Sequence, residues 1–239
     1  MPRTCKNTIA IVCLSLLFIS TVSSQLEDSE FYYGFHAGVT HSSIDEVHTT
    51  LIRPIFDVNT YSTESVPLIG FTTGASIFYR FRKSKFAIQP EIVYADLGGQ
   101  FRYEDINDLQ YDIIFSYNYI SIAPKVKYYL ANGINLSFAP QLCLAINQNR
   151  LTYISNKPEY GPDLQIEQSL SQVLKANSIA AFSAGIGYDL PFGLSVQVEY
   201  LLGVSDAIET LANGFYFIEN RNQTTAVKAT VGYFIPFYN

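Results

Sequence analysis

The residues best equipped for chemistry are few. His36, His41 and His48 stand near the N-terminal end, with Ser42, Ser43 and Asp45 among them. A histidine within hydrogen-bond reach of a hydroxyl, oriented by a carboxylate, can activate a nucleophile or a water. Serines and aspartates are also what any polar loop contains, and the alternation described below turns His36 inward, where a packed, satisfied histidine is the plainer expectation. Cys143 lies among small and apolar residues and reads as a packed thiol. "EDINDLQYD" (Glu104–Asp112) has the acidity of a calcium loop but lacks the D-x-[DN]-x-[DN]-G order and the closing glutamate. We assign no catalytic, cofactor-binding or metal site, and expect no enzyme and no cofactor.

A second group has a different use. Lys125 and Lys127 of "PKVKYY" are two apart, so on a strand they share one face. Arg80, Glu91, Asp189, Glu199 and Lys228 fall on the corresponding face of their own segments. Together these seven form a balanced polar set, four basic and three acidic. Facing hydrocarbon near its midplane, each lysine would cost about 2–4 kcal/mol. Facing a barrel interior, both can pair with Glu91 on the preceding strand. An ion or proton path is the functional reading. A structural salt-bridge plug is the expectation, because eight strands leave little open channel.

Those faces are defined by period-two alternation. "INLSFAPQLCLAIN" sets Ile134, Leu136, Phe138, Pro140, Leu142, Leu144 and Ile146 against Asn135, Ser137, Ala139, Gln141, Cys143, Ala145 and Asn147. Eight such segments are predicted, near 31–41, 67–81, 86–101, 114–130, 134–149, 177–190, 194–205 and 224–237. In each, one face is apolar and aromatic and the other is small and polar. The gaps "RKSK", "ANG" and "PFG" are short and the others long and polar. This rhythm predicts an all-β fold: an eight-stranded antiparallel up-and-down transmembrane β-barrel with short periplasmic turns and long extracellular loops. Tyr79, Phe81, Tyr128, Tyr188, Tyr233 and Phe237 would form an aromatic girdle near the short-turn end. Parity across "ANG" asks for a three-residue loop, Ala131–Gly133, with Gly133 left-handed; "PFG" gives Gly193 the same role.

Composition agrees. Charged residues are 15% of the chain, below the roughly 25% of soluble domains, while Tyr and Phe number 18 and 17. Arg3 and Lys6 precede an apolar run, Ile9–Val22, of signal-peptide length. Residues 1–24 are read as a cleaved signal peptide and 25–239 as one barrel domain. Two of the 3 cysteines lie in that leader, which excludes a disulfide within the mature chain. A net charge of −6, more negative once Arg3 and Lys6 are gone, makes nucleic acid an unsuitable partner.

Three segments carry a proline mid-strand: Pro90, Pro124 and Pro140. All share the lipid-facing parity, and the register predicts them side by side at one height. Proline cannot donate to a ladder, so each must omit a bond or sit at a bulge.

With its segments placed, the chain resembles the PorT-like outer-membrane β-barrel family, a group abundant in Bacteroidetes and related to OmpA-like eight-stranded barrels. The resemblance is carried by "YYGFHAGVTHS", "GFTTGASIFYRFRKSKFAIQPEIVYADLGGQF", "YISIAPKVKYYLANGINLSFAPQLCLAI", "FSAGIGYDLPFGLSVQVEYLLGVSD" and "TVGYFIPF". His36 stands where members commonly carry lysine, and the chain ends "PFYN" instead of on an aromatic residue. The resemblance implies residence in the outer membrane of a Gram-negative cell, among lipid and lipopolysaccharide. It also implies insertion by the barrel-assembly machinery, which would read Val231, Tyr233, Ile235 and Phe237. We expect a monomeric structural or interaction protein that presents its loops. Alternatives are an accessory component of secretion or gliding machinery, with secretion-system proteins as partners, and a lipid-modifying enzyme.

Overall fold

Alternation over ten residues or more closes here into a barrel. The computed structural model describes residues 31–45, 61–157, 163–210 and 222–237. The wall is built from β1 (Phe31–Asp45), β3 (Leu68–Arg80), β4 (Phe86–Asp96), β7 (Asn118–Ala131), β8 (Ile134–Asn147), β11 (Ile179–Asp189), β12 (Leu194–Asp206) and β14 (Gln223–Pro236). Each is antiparallel to its neighbour in chain order, and β14 returns to β1 to close the ring.

Every wall strand alternates exposed and buried residues. The exposed set is apolar: Ile69 is 80% exposed, Ile92 60% and Val231 54%. Between the two rims it includes His41 and no Asp, Glu, Lys or Arg. A continuous apolar surface on all sides far exceeds what a water-soluble protein displays; it is the lipid-facing band of a membrane barrel. Outward aromatic pairs ring the short-turn end, among them Phe31–Tyr79, Tyr33–Phe237 and Phe86–Tyr128.

The short turns follow their local chemistry. At Pro191–Gly193, the Gly193 N–H donates to the Leu190 carbonyl at 3.1 Å and Gly193 takes φ +91°, a type I turn closed by a left-handed glycine. The turn at Asn132–Gly133 is one residue shorter than parity suggested. Asn132 and Gly133 both have positive φ, 46° and 86°, and Ala131 pairs directly with Ile134. Those are the dihedral signs of a type I′ turn, whose twist matches the strands and which Asn-Gly favours. Parity is recovered within β7, by a register shift between Tyr129 and Ala131.

The prolines stand where the register sets them. Pro90 pairs with Pro124, and Pro124 lies opposite Pro140 within the unbroken frame between Ile122↔Leu142 and Val126↔Phe138. No bulge accommodates them. Instead the ladders lapse: β3–β4 between Ser76↔Glu91 and Tyr79↔Ile88, and β7–β8 between those same flanking pairs. The geometry assigns the missing bonds, since a pair that exchanges two N–H···O bonds alternates with one that exchanges none. Pro90 would have donated to the Ile77 carbonyl, and Pro124 and Pro140 to each other.

The long connections are not loose. β2 (Tyr61–Val66), β5 (Gly99–Asp105), β6 (Gln110–Phe115) and β9 (Leu151–Ser155) form a second, four-stranded sheet above the barrel. β10 (Leu174–Ala176) and β13 (Ile208–Thr210) pair beside it, and a helix, α1 (Asp163–Val173), precedes β10. The β4–β7 hairpin reaches this sheet by bending over the barrel mouth at Gly98–Gly99. A Cβ on Gly98 would lie 2.0 Å from the Phe115 carbonyl oxygen, and one on Gly99 2.6 Å from the Ile44 nitrogen. Only glycine permits so close an approach.

Candidate functional site: a filled lumen beneath an extracellular sheet

The interior is layered from the periplasmic end upward. At the bottom Tyr32, Phe78, Ala87, Tyr129 and Phe234 pack together, all buried. Phe78 and Phe234 have ring centroids 5.0 Å apart and Tyr32 meets Phe78 edge-on at 5.7 Å. Arg80 lies at this mouth, its guanidinium 4.6 Å from the centre of the Tyr129 ring.

Above the rings sits the charge. Lys125 Nζ is 2.9 Å from Glu91 Oε1 and 2.8 Å from Glu199 Oε1; Lys228 Nζ is 3.6 Å from Glu199 Oε2. Lys127 does not pair with Glu91. Its ammonium reaches Asp189 across the lumen at 3.2 Å and lies over the Phe234 ring at 5.1 Å. Two residues further down the strand is roughly 7 Å nearer the periplasm, the level at which β11 supplies Asp189. That carboxylate also accepts from Ser195 Oγ at 2.7 Å, from Asn135 Nδ2 at 3.1 Å and from the Tyr129 hydroxyl. Gln197 donates to Ser137 and to Glu199, and Gln89 to Ser76 and Glu91. All six charged groups of this belt are buried. The space left among His36, Gln89, Lys125 and Glu199 is about 20 Å³, room for about one water.

Higher still the interior turns apolar again. Tyr119, Cys143, Ala181, Leu201 and Ala226 from the wall join Ile44 and Leu97 at the mouth, then Phe101, Ile113, Phe115 and Leu151 of the sheet, in one buried cluster. The inner face is therefore not uniformly small and polar. Phe78 and Tyr129 below, and Tyr119 and Leu201 above, carry inward parity and close the two ends. Parity alone could have found them; their sealing role needed the height of each strand.

The sheet continues that cluster. On its inner side Tyr103 stacks on Tyr111 at 4.7 Å and Tyr111 meets Tyr153 at 5.6 Å. Burial, reinforced by the neighbouring phenols, pushes the Tyr111 hydroxyl up from its ordinary pKa. The outer side is largely polar, with Arg102 3.0 Å from Asp112 on the opposed strand and Ile154 beside them. The Asp112 carboxylate holds that guanidinium above its already high pKa. Of the carboxylates in Glu104–Asp112, Asp112 is thus paired with Arg102 and Asp105 serves the backbone, as do two carboxylates of the helix. Asp105 Oδ1 accepts from the Asn107 and Leu109 amides, and Glu167 and Asp163 of α1 accept from the Tyr153 and Ser155 amides along the β9 edge. Among the described residues no three His, Cys, Asp or Glu side chains converge as a metal site would require.

The histidine constellation is not assembled. His41 and Ser42 are consecutive on β1, so the pleat sends them to opposite faces, His41 exposed and Ser42 buried. Ser42 Oγ accepts the Gly98 amide at 2.9 Å, and Ser43 donates to Asp45. His36 lines the small lumen space. His48 lies outside the described residues, as does the N-terminal leader. Val231, Tyr233, Ile235 and Phe237 form an exposed outward row on β14 and just beyond it.

The sequence matches the outer membrane protein beta-barrel domain family over residues 23–209. The chain belongs to that family. Its location is therefore the outer membrane. Among solved structures it is similar to Ail, the attachment invasion locus protein of Yersinia pestis, at 11% identity and TM-score 0.43, covering 86% of this chain and 99% of that one. It is similar also to Neisserial surface protein A, at 12% identity and TM-score 0.40 over 87% and 98%. A third is the outer membrane protein OprG from Pseudomonas aeruginosa, at 11% identity and TM-score 0.37 over 87% and 98%. No curated protein matches by sequence.

Proposed function

We propose that this protein is a non-enzymatic structural and interaction barrel: a plugged transmembrane anchor that holds a sheet of extracellular loops for a partner to meet. The observation that carries this reading is the continuity of packing. Aromatic plug, ionic belt and apolar cap leave no through-path among the described residues, and the cap runs without a break into the extracellular sheet. A pore has no use for such a filling, whereas a platform that must not rock on its anchor does. Separation of His41 from Ser42 by the pleat weighs against a lipid-modifying enzyme.

The fuller reading places the chain in the PorT-like group of Bacteroidetes. It is exported by a signal peptide over residues 1–24 and inserted by the barrel-assembly machinery through Val231, Tyr233, Ile235 and Phe237, then acts as a monomer among lipopolysaccharide. The partner belongs to the envelope or the cell's surroundings. Secretion or gliding components would make the protein an accessory of that machinery.

A photo-crosslinking residue at Arg102, Thr152 or Ile154, on the sheet's outer face, tests the platform in living cells. Protein adducts from these positions, absent from a lipid-facing control at Ile122, are expected. No adducts, together with lipid turnover that depends on His36 or His41, would overturn the proposal.

A further inference from the structure

The wall has one notch. The β3–β4 ladder ends at Thr72↔Ala95, and β4 then leaves the wall to cross the mouth, pinned by the Gly98 amide to Ser42. β7 begins at Asn118↔Asp96. Between the top of β3 and this bent pair a cleft of about 170 Å³ remains, bordered by Leu68, Ile69, Asp96, Tyr117, Asn118 and Arg150.

Its height is given by the outward faces. Asp96 and Asn118 are the first polar residues above Tyr94 and Ile120, and the opposite lip is Ile69, 80% exposed. Hydrocarbon gives way to headgroups at this level. The charges are unevenly used. Asp96 accepts from the Phe71 amide at 3.0 Å, from the Tyr94 hydroxyl at 2.8 Å and from Asn118 Nδ2, so its carboxylate is occupied. Arg150 is held in place by its carbonyl, which accepts the Ser116 amide at 3.0 Å. Its guanidinium makes one long contact, 3.5 Å to Asn118 Oδ1, and no salt bridge among the described residues. Tyr117, fully buried, closes the inner wall of the cleft as part of the apolar cap.

An exposed guanidinium without a salt bridge among the described residues, lining a cleft whose other lip is apolar and at the membrane boundary, fits one chemistry. We infer that this notch binds the phosphate of an outer-leaflet lipid, with Arg150 as the phosphate ligand and the acyl chains descending past Ile69. Guanidinium donors match phosphate oxygens in pairs, and a soluble anion would gain nothing from the Leu68 and Ile69 walls. The inference rests on the proposed orientation, with the long connections outside.

The test uses the folded full-length protein in detergent, titrated with lipid A and with enzymatically dephosphorylated lipid A. Heat-modifiable gel migration of each variant checks the barrel separately. Lipid A should bind about tenfold more tightly than its dephosphorylated form, as loss of a charge-assisted contact implies. Arg150→Gln should abolish that preference and Arg150→Lys retain part of it. Equal binding of both lipids, or a preference unchanged in Arg150→Gln, would overturn the inference. Displacement of lipid A by millimolar inorganic phosphate would overturn it too, as a site for free anion.

Discussion

Glu199 is the hinge of the ionic belt, touching Lys125 with one oxygen and Lys228 with the other. Burying ions is costly, and the arrangement is tolerable because each charge has a partner and further hydrogen bonds. Glu199→Ala would leave Lys228 without its carboxylate and Lys125 with Glu91 alone. We expect a loss of about 3–5 kcal/mol in folding stability, read from urea titrations of the folded fraction in lipid vesicles. Replacing Glu199 and Lys228 together by methionine should cost much less, because no ion is then abandoned. Equal losses would show that Glu199 acts through packing and not through charge. Residue type and parity named the six charged groups of this belt together with Arg80, which lies apart from them at the mouth over Tyr129. The partner of Lys127 was not legible in this way, because Asp189 lies on a strand distant in sequence and is chosen by height in the lumen.

At the scale of the elements, the prolines are the wall's irregularity. Three carbonyls, at Ile77, Pro124 and Pro140, lose their ladder donors, and the register holds regardless. An unmet carbonyl in hydrocarbon costs several kcal/mol, whereas relaxing a proline costs about 0.4–1 kcal/mol through the unfolded chain. The double variant Pro124→Val, Pro140→Val, which restores two donors, should therefore unfold at higher urea than the native barrel. An unchanged or lower midpoint would mean these carbonyls already have other donors. Strand number, parity and the proline alignment could all be derived from period-two patterning, which a barrel obeys strictly. The Asn132–Gly133 turn escaped that logic because a one-residue shift in β7 absorbs the parity its type I′ geometry would violate. The second sheet was hidden for a similar reason: β5 and β6 continue the alternation of β4 and β7, and only the Gly98–Gly99 bend separates them.

The whole molecule is a barrel closed from within. Its lower plug depends on Phe78, Tyr129 and Phe234, and its upper cap on wall residues shared with the extracellular sheet. Such sharing ties the sheet to the barrel wall, as the proposed display role requires. The sequence pointed to a structural plug through its balanced inward charges, but the two apolar seals above and below them emerge only when eight strands are set at their heights. Single-channel recording of the purified protein in a planar bilayer tests this most directly. No conductance steps above those of the bare bilayer are expected from the native protein. Steady ohmic conductance from the native protein would contradict the sealed barrel and the function proposed from it.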